Sequence, residues 1–259
     1  MQHQNYNKAD NVYCQRISLL ILLCIFLVTS KLYSQDSVIS RDDKSQLALT
    51  RAIHTYDQYI GRNALVYTGS SYFDAYGNIQ NHQFFVDDYW EFGSVIYDNY
   101  SYDSIFLMYD IYQDLLLIEN FNSEGFLSPI KLYTPKVSYF QLHGFEFIRL
   151  EKDTISNIKE GFFNLMYNGD DLQVLVKRRK EIVNANEINS VREEFIEKDR
   201  YYIRKDGLYH QVRKRGSILK VLYDHKKEVK AFIRKNNFMF KISPETQMVE
   251  VVKYYDSLN

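Results

Sequence analysis

The chain has 259 residues, 46% of them hydrophobic and 16% aromatic, with 23 Tyr and 17 Phe against only 10 Gly and 3 Pro. That length and apolar content supply a real core, and the composition excludes a disordered or low-complexity chain. The formal net charge is −1 at pH 7 and the only cysteines are Cys14 and Cys24, so a chain trimmed beyond them has no disulfide, no Cys nucleophile and no Cys-ligated zinc.

Lys8 and Arg16 precede an apolar run over residues 17–28, which ends in Thr29, Ser30 and Lys31. This is the pattern of an export signal, and its run is short of the roughly 20 residues a membrane-spanning helix needs. Cleavage is expected after Ser34, with Ser30 the alternative site and an uncleaved anchor the third possibility. Leu22 and Leu23 before Cys24 are too large for a lipoprotein signal. The expected organisation is a signal peptide over 1–34, an N-terminal helix plus antiparallel β domain over 35–213, and a C-terminal helical pair over 214–259 docked on the β domain.

Leu49, Ala52, Ile53, Tyr56, Tyr59 and Ile60 recur at helical spacing before Gly61, which predicts an amphipathic helix over 41–60. Strand-like segments follow. Between Arg62 and Lys131 there is no Lys or Arg, yet ten carboxylates run from Asp74 to Glu124. Within that stretch, residues 105–109 and 115–118 read as consecutive antiparallel strands.

Three hairpins can be placed by their turn residues. Asn168-Gly169 would set Leu165 against Leu172 and Phe163 against Val174. Asp206-Gly207 would set Ile203 against His210 and Tyr201 against Val212, with Tyr202, Arg204, Gln211 and Arg213 on the opposite face. His143-Gly144 would set Phe140 against Phe147 and Tyr139 against Ile148. Pro129 and Pro135 mark a sheet edge near residues 131–133. The polar stretch 181–194 reads as a loop or short surface helix. Residues 217–235 predict a second amphipathic helix with a lysine-rich outer face, and Ser243-Pro244 opens a third with Met248, Val251, Val252, Tyr255 and Leu258 as its stripe. The fold class expected is α+β, mainly antiparallel β: a meander built as a sandwich or open barrel, with one N-terminal and two C-terminal helices packed on it.

Charge divides along the chain. Residues 35–173 hold 20 acidic and 9 basic side chains, whereas 174–241 hold 19 basic and 9 acidic. Either the two halves lie against each other, or the basic half presents a surface to anionic lipid headgroups or an acidic protein partner. The binding residues this points to are Tyr97, Tyr102, Tyr109 and Asp110 in the acidic sheet and Lys226, Lys227 and Lys230 on the basic helix. The runs 177–180 and 213–215 are further candidates for phosphate contact. No nucleic acid is expected as a partner of an exported chain.

Of His54, His82, His143, His210 and His225, none has metal-ligand spacing to another, and no metal or cofactor is expected. His82 precedes Asp87, Asp88 and Glu91 beside Trp90, a set that would suit glycoside hydrolysis or calcium. Adjacent carboxylates on a strand point to opposite faces, which counts against it. The DAYGN segment over 74–78 reads as a turn. No glycine-flanked Ser and no glycine-rich phosphate loop occurs.

GSVIYDNYSYDSIFLMYDIYQDLLLI, GFFNLMYNGDDLQVLVKRRKEI, RYYIRKDGLYHQVRKRGSILKVL and the ending VVKYYDSL together resemble an exported β-rich family widespread in Bacteroidota, over most of the mature chain. Where that pattern often has Gly after Tyr97-Asp98, this chain has Asn99, which tolerates the same left-handed backbone. The resemblance implies the periplasm or outer envelope and brings no catalytic residue to assign. The function expected is therefore a non-catalytic cell-envelope interaction or structural module. A carrier holding an apolar ligand inside the sheet, or a hydrolase centred on His82, Asp87, Asp88 and Glu91, are the alternatives.

Overall fold

The computed structural model describes residues 65–187, 190–240 and 244–258. The export signal, the helix expected over 41–60 and the Ser243 cap lie outside them. The strands are β1 (Ser70–Ser71), β2 (Glu91–Tyr97), β3 (Tyr100–Asp110), β4 (Leu115–Ile118), β5 (Ile130–Lys131), β6 (Val137–Leu142), β7 (Phe145–Leu150), β8 (Gly161–Asn168), β9 (Leu172–Lys177), β10 (Lys180–Glu187), β11 (Ser190–Glu197), β12 (Arg200–Lys205) and β13 (Leu208–Val212). The helices are α1 (Arg215–Val221), α2 (Lys226–Lys235) and α3 (Pro244–Asp256).

Eleven strands form one antiparallel sheet in the order β1-β5-β4-β3-β2-β6-β7-β8-β9-β12-β13, and β10 pairs β11 separately. The expected α+β, mainly antiparallel class holds, and the sheet is not a closed barrel. It is strongly curled. Tyr109 on β3 and Phe162 on β8 lie four strand spacings apart, roughly 19 Å in a flat sheet, yet their ring centroids are 5.8 Å apart. The concave side is filled by Phe85, Tyr109, Phe140, Phe147 and Phe162, with Phe140 and Phe147 stacked at 4.5 Å. An apolar ligand enclosed there would have to displace these rings.

Two hairpins have the expected register. Tyr139 pairs Ile148 and Phe140 pairs Phe147, while Tyr201 pairs Val212 and Ile203 pairs His210. Both turns are left-handed at their two central residues, with φ of 52° at His143 and 76° at Gly144, and 52° at Asp206 and 76° at Gly207. The backbone twist of such a turn matches that of the flanking strands. Asp98 and Asn99 close β2–β3 in the same way, at 53° and 68°.

The β8–β9 hairpin differs from its expectation: Leu165 pairs Leu175, not Leu172, and Asn168 pairs Gln173. A bulge between Leu165 and Tyr167 turns both Met166 and Tyr167 towards the helices. Tyr167 Oη then donates to Asp256 Oδ2 at 2.6 Å. Gly169 serves close approach instead of a left-handed turn, since a Cβ there would lie 2.1 Å from the same carboxylate oxygen.

The described residues of 181–194, expected as a loop or helix, belong to the β10–β11 ribbon. Its base is anchored by buried Phe195, packed edge-on against Tyr76 and Tyr112. The single helix expected over 217–235 is two, α1 and α2. The break contains Asp224, whose carboxylate accepts from Lys205 Nζ and, at 2.9 Å, from Tyr255 Oη, so the chain is tied to β12 and α3 where a continuous helix would carry it away. The C-terminal pair is thus a trio, packed with Leu172, Val174, Ile203 and Val212 in a second core.

Arg178 joins the two cores. Its guanidinium lies 5.7 Å from both the Phe85 and Phe145 rings. It donates to Asn164 Oδ1 at 2.7 Å, to Asp199 Oδ2 at 2.7 Å and to both oxygens of Glu245 on α3 at 2.5 and 3.0 Å. Burial pushes the Asp199 carboxyl up, and Arg178 opposes that push. Arg178→Ala would leave this carboxylate buried and unpaired, so urea unfolding should show a loss of about 3–5 kcal/mol.

Candidate functional site

The four basic residues 177–180 cross from the main sheet to the ribbon, and three of them are taken up by partners within the protein. Lys177 Nζ lies 2.6 Å from Asp114 Oδ2 and 3.0 Å from the Phe162 carbonyl. Asp114 also accepts the Tyr109 hydroxyl at 2.6 Å, which fastens the β3–β4 turn to β8 and β9 across the curl. Gly161, at φ 136°, leaves the room for this: a Cβ would meet Asp114 Oδ2 at 2.0 Å. Lys180 Nζ donates to the His82 and Phe84 carbonyls at 2.7 and 2.8 Å. Burial holds both lysines below the usual range. The run is thus an internal staple, which corrects the expectation that it forms a phosphate-contacting stripe.

Arg179 is the exception. Strand alternation sends it to the same side as Lys177, where it lines a cleft of about 320 Å³ and pairs with Glu181, which lines the depression beside it. Ile111, Tyr112, Phe163 and Tyr202 give the cleft apolar walls, and Lys159 and Arg200 add cations. A neighbouring depression of about 360 Å³ shares Arg179, Arg200 and Gln211 and adds Lys198 and Arg213. Register explains the grouping. Arg200 stands opposite Lys177 on β9, and Tyr202 stands opposite Gln211 on β13, so all four share one face.

Lys159, Lys198, Arg200 and Arg213 are exposed, and none forms an ion pair among the described residues. Lys159 and Arg200 stand beside the aromatic walls, and Lys198 and Arg213 flank the neighbouring depression, while the carboxylates there, Asp114, Asp199 and Glu181, are taken up by Lys177, Arg178 and Arg179. The exposed cations can hold a phosphate or carboxylate group, and the arginines can do so through two parallel hydrogen bonds.

The residues singled out from the sequence are placed differently. Tyr97, Tyr109 and Asp110 are 3%, 0% and 0% exposed, so they are core groups and offer no binding surface. Asp110 accepts from Tyr72 Oη at 2.9 Å and from the Gln113 amide at 2.8 Å. Tyr102 is half-buried against the main core. Lys226, Lys227 and Lys230 are exposed on α2, opposite buried Val229 and Ile233.

His82 stacks on Phe84 and faces Lys180, with 3.4 Å between His82 Nδ1 and Lys180 Nζ. Among the described residues no three His, Cys, Asp or Glu side chains gather to hold a metal. The DAYGN segment is a turn, with Asp74 Oδ1 accepting the Tyr76 amide at 2.9 Å.

Lys159, Lys198 and Arg200 were not singled out from the sequence. The signal that could have found Arg200 was the Asp206-Gly207 hairpin, which already placed Tyr202, Gln211 and Arg213 on one face. Compared with family models, curated proteins and solved structures, the chain matches none.

Burial first, and then Lys180, lowers the pKa of His82 from its ordinary 6.5. A depressed pKa means the unfolded chain binds this proton more readily, so the contribution is present above pH 6.5 and is lost as pH falls through the folded value. Thermal melts followed by circular dichroism should show Tm falling between pH 7.5 and 5.5. His82→Gln should reduce that fall, and an identical fall in both proteins would contradict this role for His82.

Proposed function

We propose that this chain is a non-catalytic interaction module of the cell envelope, in the periplasm or at the outer membrane, which binds an anionic envelope component through the cationic cleft. The observation that carries this reading is the set of exposed, unpaired cations Lys159, Lys198, Arg200 and Arg213 around Arg179, beside the Tyr112 and Tyr202 walls. Placement in the envelope is supported by the export-type run over 17–28 and by the family resemblance. Cations elsewhere on the same face are neutralised at close range, as Lys177 is by Asp114. Those around the cleft retain their charge for a partner. The lysine face of α2 is the competing surface, and its Lys226, Lys227 and Lys230 stand exposed opposite buried Val229 and Ile233.

Calorimetric titration with inorganic tripolyphosphate separates the two surfaces. A charge-assisted hydrogen bond contributes about 1.5–3 kcal/mol, so Arg200→Glu combined with Arg213→Glu should weaken binding by at least about tenfold. Reversing Lys226, Lys227 and Lys230 to Glu should change it by less than about twofold, as expected for solvated charges distant from the ligand. The opposite ranking would move the site to α2.

A further inference from the structure

The sheet ends at β13, and this edge, covered by Ser156 at Tyr209, is open at Gln211 beside the cleft. The two-residue turn at Asp206-Gly207 makes Lys205 and Leu208 a hydrogen-bonded pair. By alternation, Tyr209 and Gln211 hold the positions whose N–H and C=O groups point away from β12. The Tyr209 amide confirms the direction, since it donates to Ser156 Oγ at 3.0 Å from outside the sheet. That hydroxyl occupies the place a neighbouring strand's carbonyl would take. Among the described residues the Gln211 amide has no acceptor.

A trough follows the whole strand. At one end it is the depression bounded by Arg179, Arg200 and Arg213. Beside Leu208, Tyr209 and His210 it continues as a depression of about 360 Å³ reaching Ile155 and Lys220, then as one of about 240 Å³ ending at Tyr223. Ile155, Leu208 and Tyr223 are 82%, 40% and 66% exposed, so apolar side chains line the trough beside the cations Arg200, Arg213 and Lys220, while its carboxylates Glu181, Asp199 and Asp206 lie against Arg179, Arg178 and Lys205. Those cations oppose edge-to-edge pairing with another basic strand and favour an acidic one.

We propose that β13 accepts an extended acidic peptide segment of a partner protein as a twelfth strand. This rests on the reading of the cleft as an anion site and names its partner class. The peptide backbone pairs with the amide of Gln211 and the outward carbonyls of Tyr209 and Gln211. Its carboxylates meet Arg200, Arg213 and Lys220, and an apolar side chain covers Leu208 and Ile155. Backbone pairing supplies affinity and the cations supply selection, as in other cases of strand addition.

The test is fluorescence anisotropy of a fluorescein-labelled octapeptide alternating glutamate with valine, its lysine–valine counterpart serving as control. The acidic peptide should bind and the basic one should not. Gln211→Pro removes the outward amide without touching the β12–β13 ladder and should weaken binding at least about tenfold, whereas Gln211→Ala, which keeps the amide, should stay within about twofold. In the unmodified protein the peptide should also slow hydrogen exchange of the Gln211 amide, a readout independent of whether the proline variant folds. Unchanged exchange, or a folded Gln211→Pro protein that binds like the parent, would overturn strand addition while leaving the anion site standing. Unchanged peptide binding by Arg200→Glu with Arg213→Glu would overturn the anion site itself. Binding to phosphatidylglycerol vesicles with none to the acidic peptide would assign the surface to lipid and also overturn the proposal.

Discussion

A single guanidinium holds the two halves of this fold in register. Arg178 leaves β9 and enters the seam between the aromatic core of the curled sheet and the core beneath the helices, where Asn164, Asp199 and Glu245 satisfy its donors. Buried ion pairs contribute little net stability over a well-packed apolar alternative. What Arg178 supplies is position. Only one placement of α3 presents the Glu245 carboxylate to the same fork that Asp199 engages from the chain leading into β12, so the helices cannot slide along the sheet without leaving buried charge unpaired. The curl is set nearby by Lys177 and Asp114, which join elements that a flat sheet would keep far apart.

This internal use of charge defines where function can lie. The acidic and basic halves of the sequence do meet, through Lys177 with Asp114 and Lys180 with the His82 and Phe84 carbonyls. Arg179 shares the cleft face with Lys177, whose charge Asp114 takes up, and the neighbouring strands bring Arg200 and Arg213 to its side. The staple thus decides which cations keep their charge: Lys177, Arg178 and Lys180 are taken up by internal partners, and the exposed ones gather at one edge of the sheet. The tyrosines that seemed to form a surface are divided in the same way. Tyr97 and Tyr109 fill the core and Tyr102 is half-buried, whereas Tyr112, outside that set, reaches the cleft wall and the base of the ribbon.

The parts of the fold legible in the sequence are those determined by local backbone chemistry. Asp206-Gly207 and His143-Gly144 specify left-handed turns and, with them, register. Asn168-Gly169 looked equivalent but was not, because Gly169 answers to a helix that arrives 87 residues later with Asp256, a constraint no local pattern contains. The helix break at Asp224 is likewise tertiary, imposed by Lys205 and Tyr255 on a stretch whose periodicity runs through it. The ribbon was missed because it packs chiefly through Phe195 and lacks the apolar alternation of a half-buried strand. The cleft was legible only in part: Arg213 was visible on one hairpin face, but Lys159 and Arg200 become neighbours through pairings between hairpins.

Arg178 makes the curled sheet and the helical trio one cooperative unit. Urea unfolding followed simultaneously by fluorescence of the single tryptophan, Trp90, which packs on the sheet near Met108 and Leu117, and by circular dichroism at about 222 nm, which reports mainly the helices, tests it directly. Coincident transitions are expected in the unmodified protein and separated ones in Arg178→Met, with the helical signal lost first. Separate transitions in the unmodified protein, or coincident ones in Arg178→Met, would contradict it.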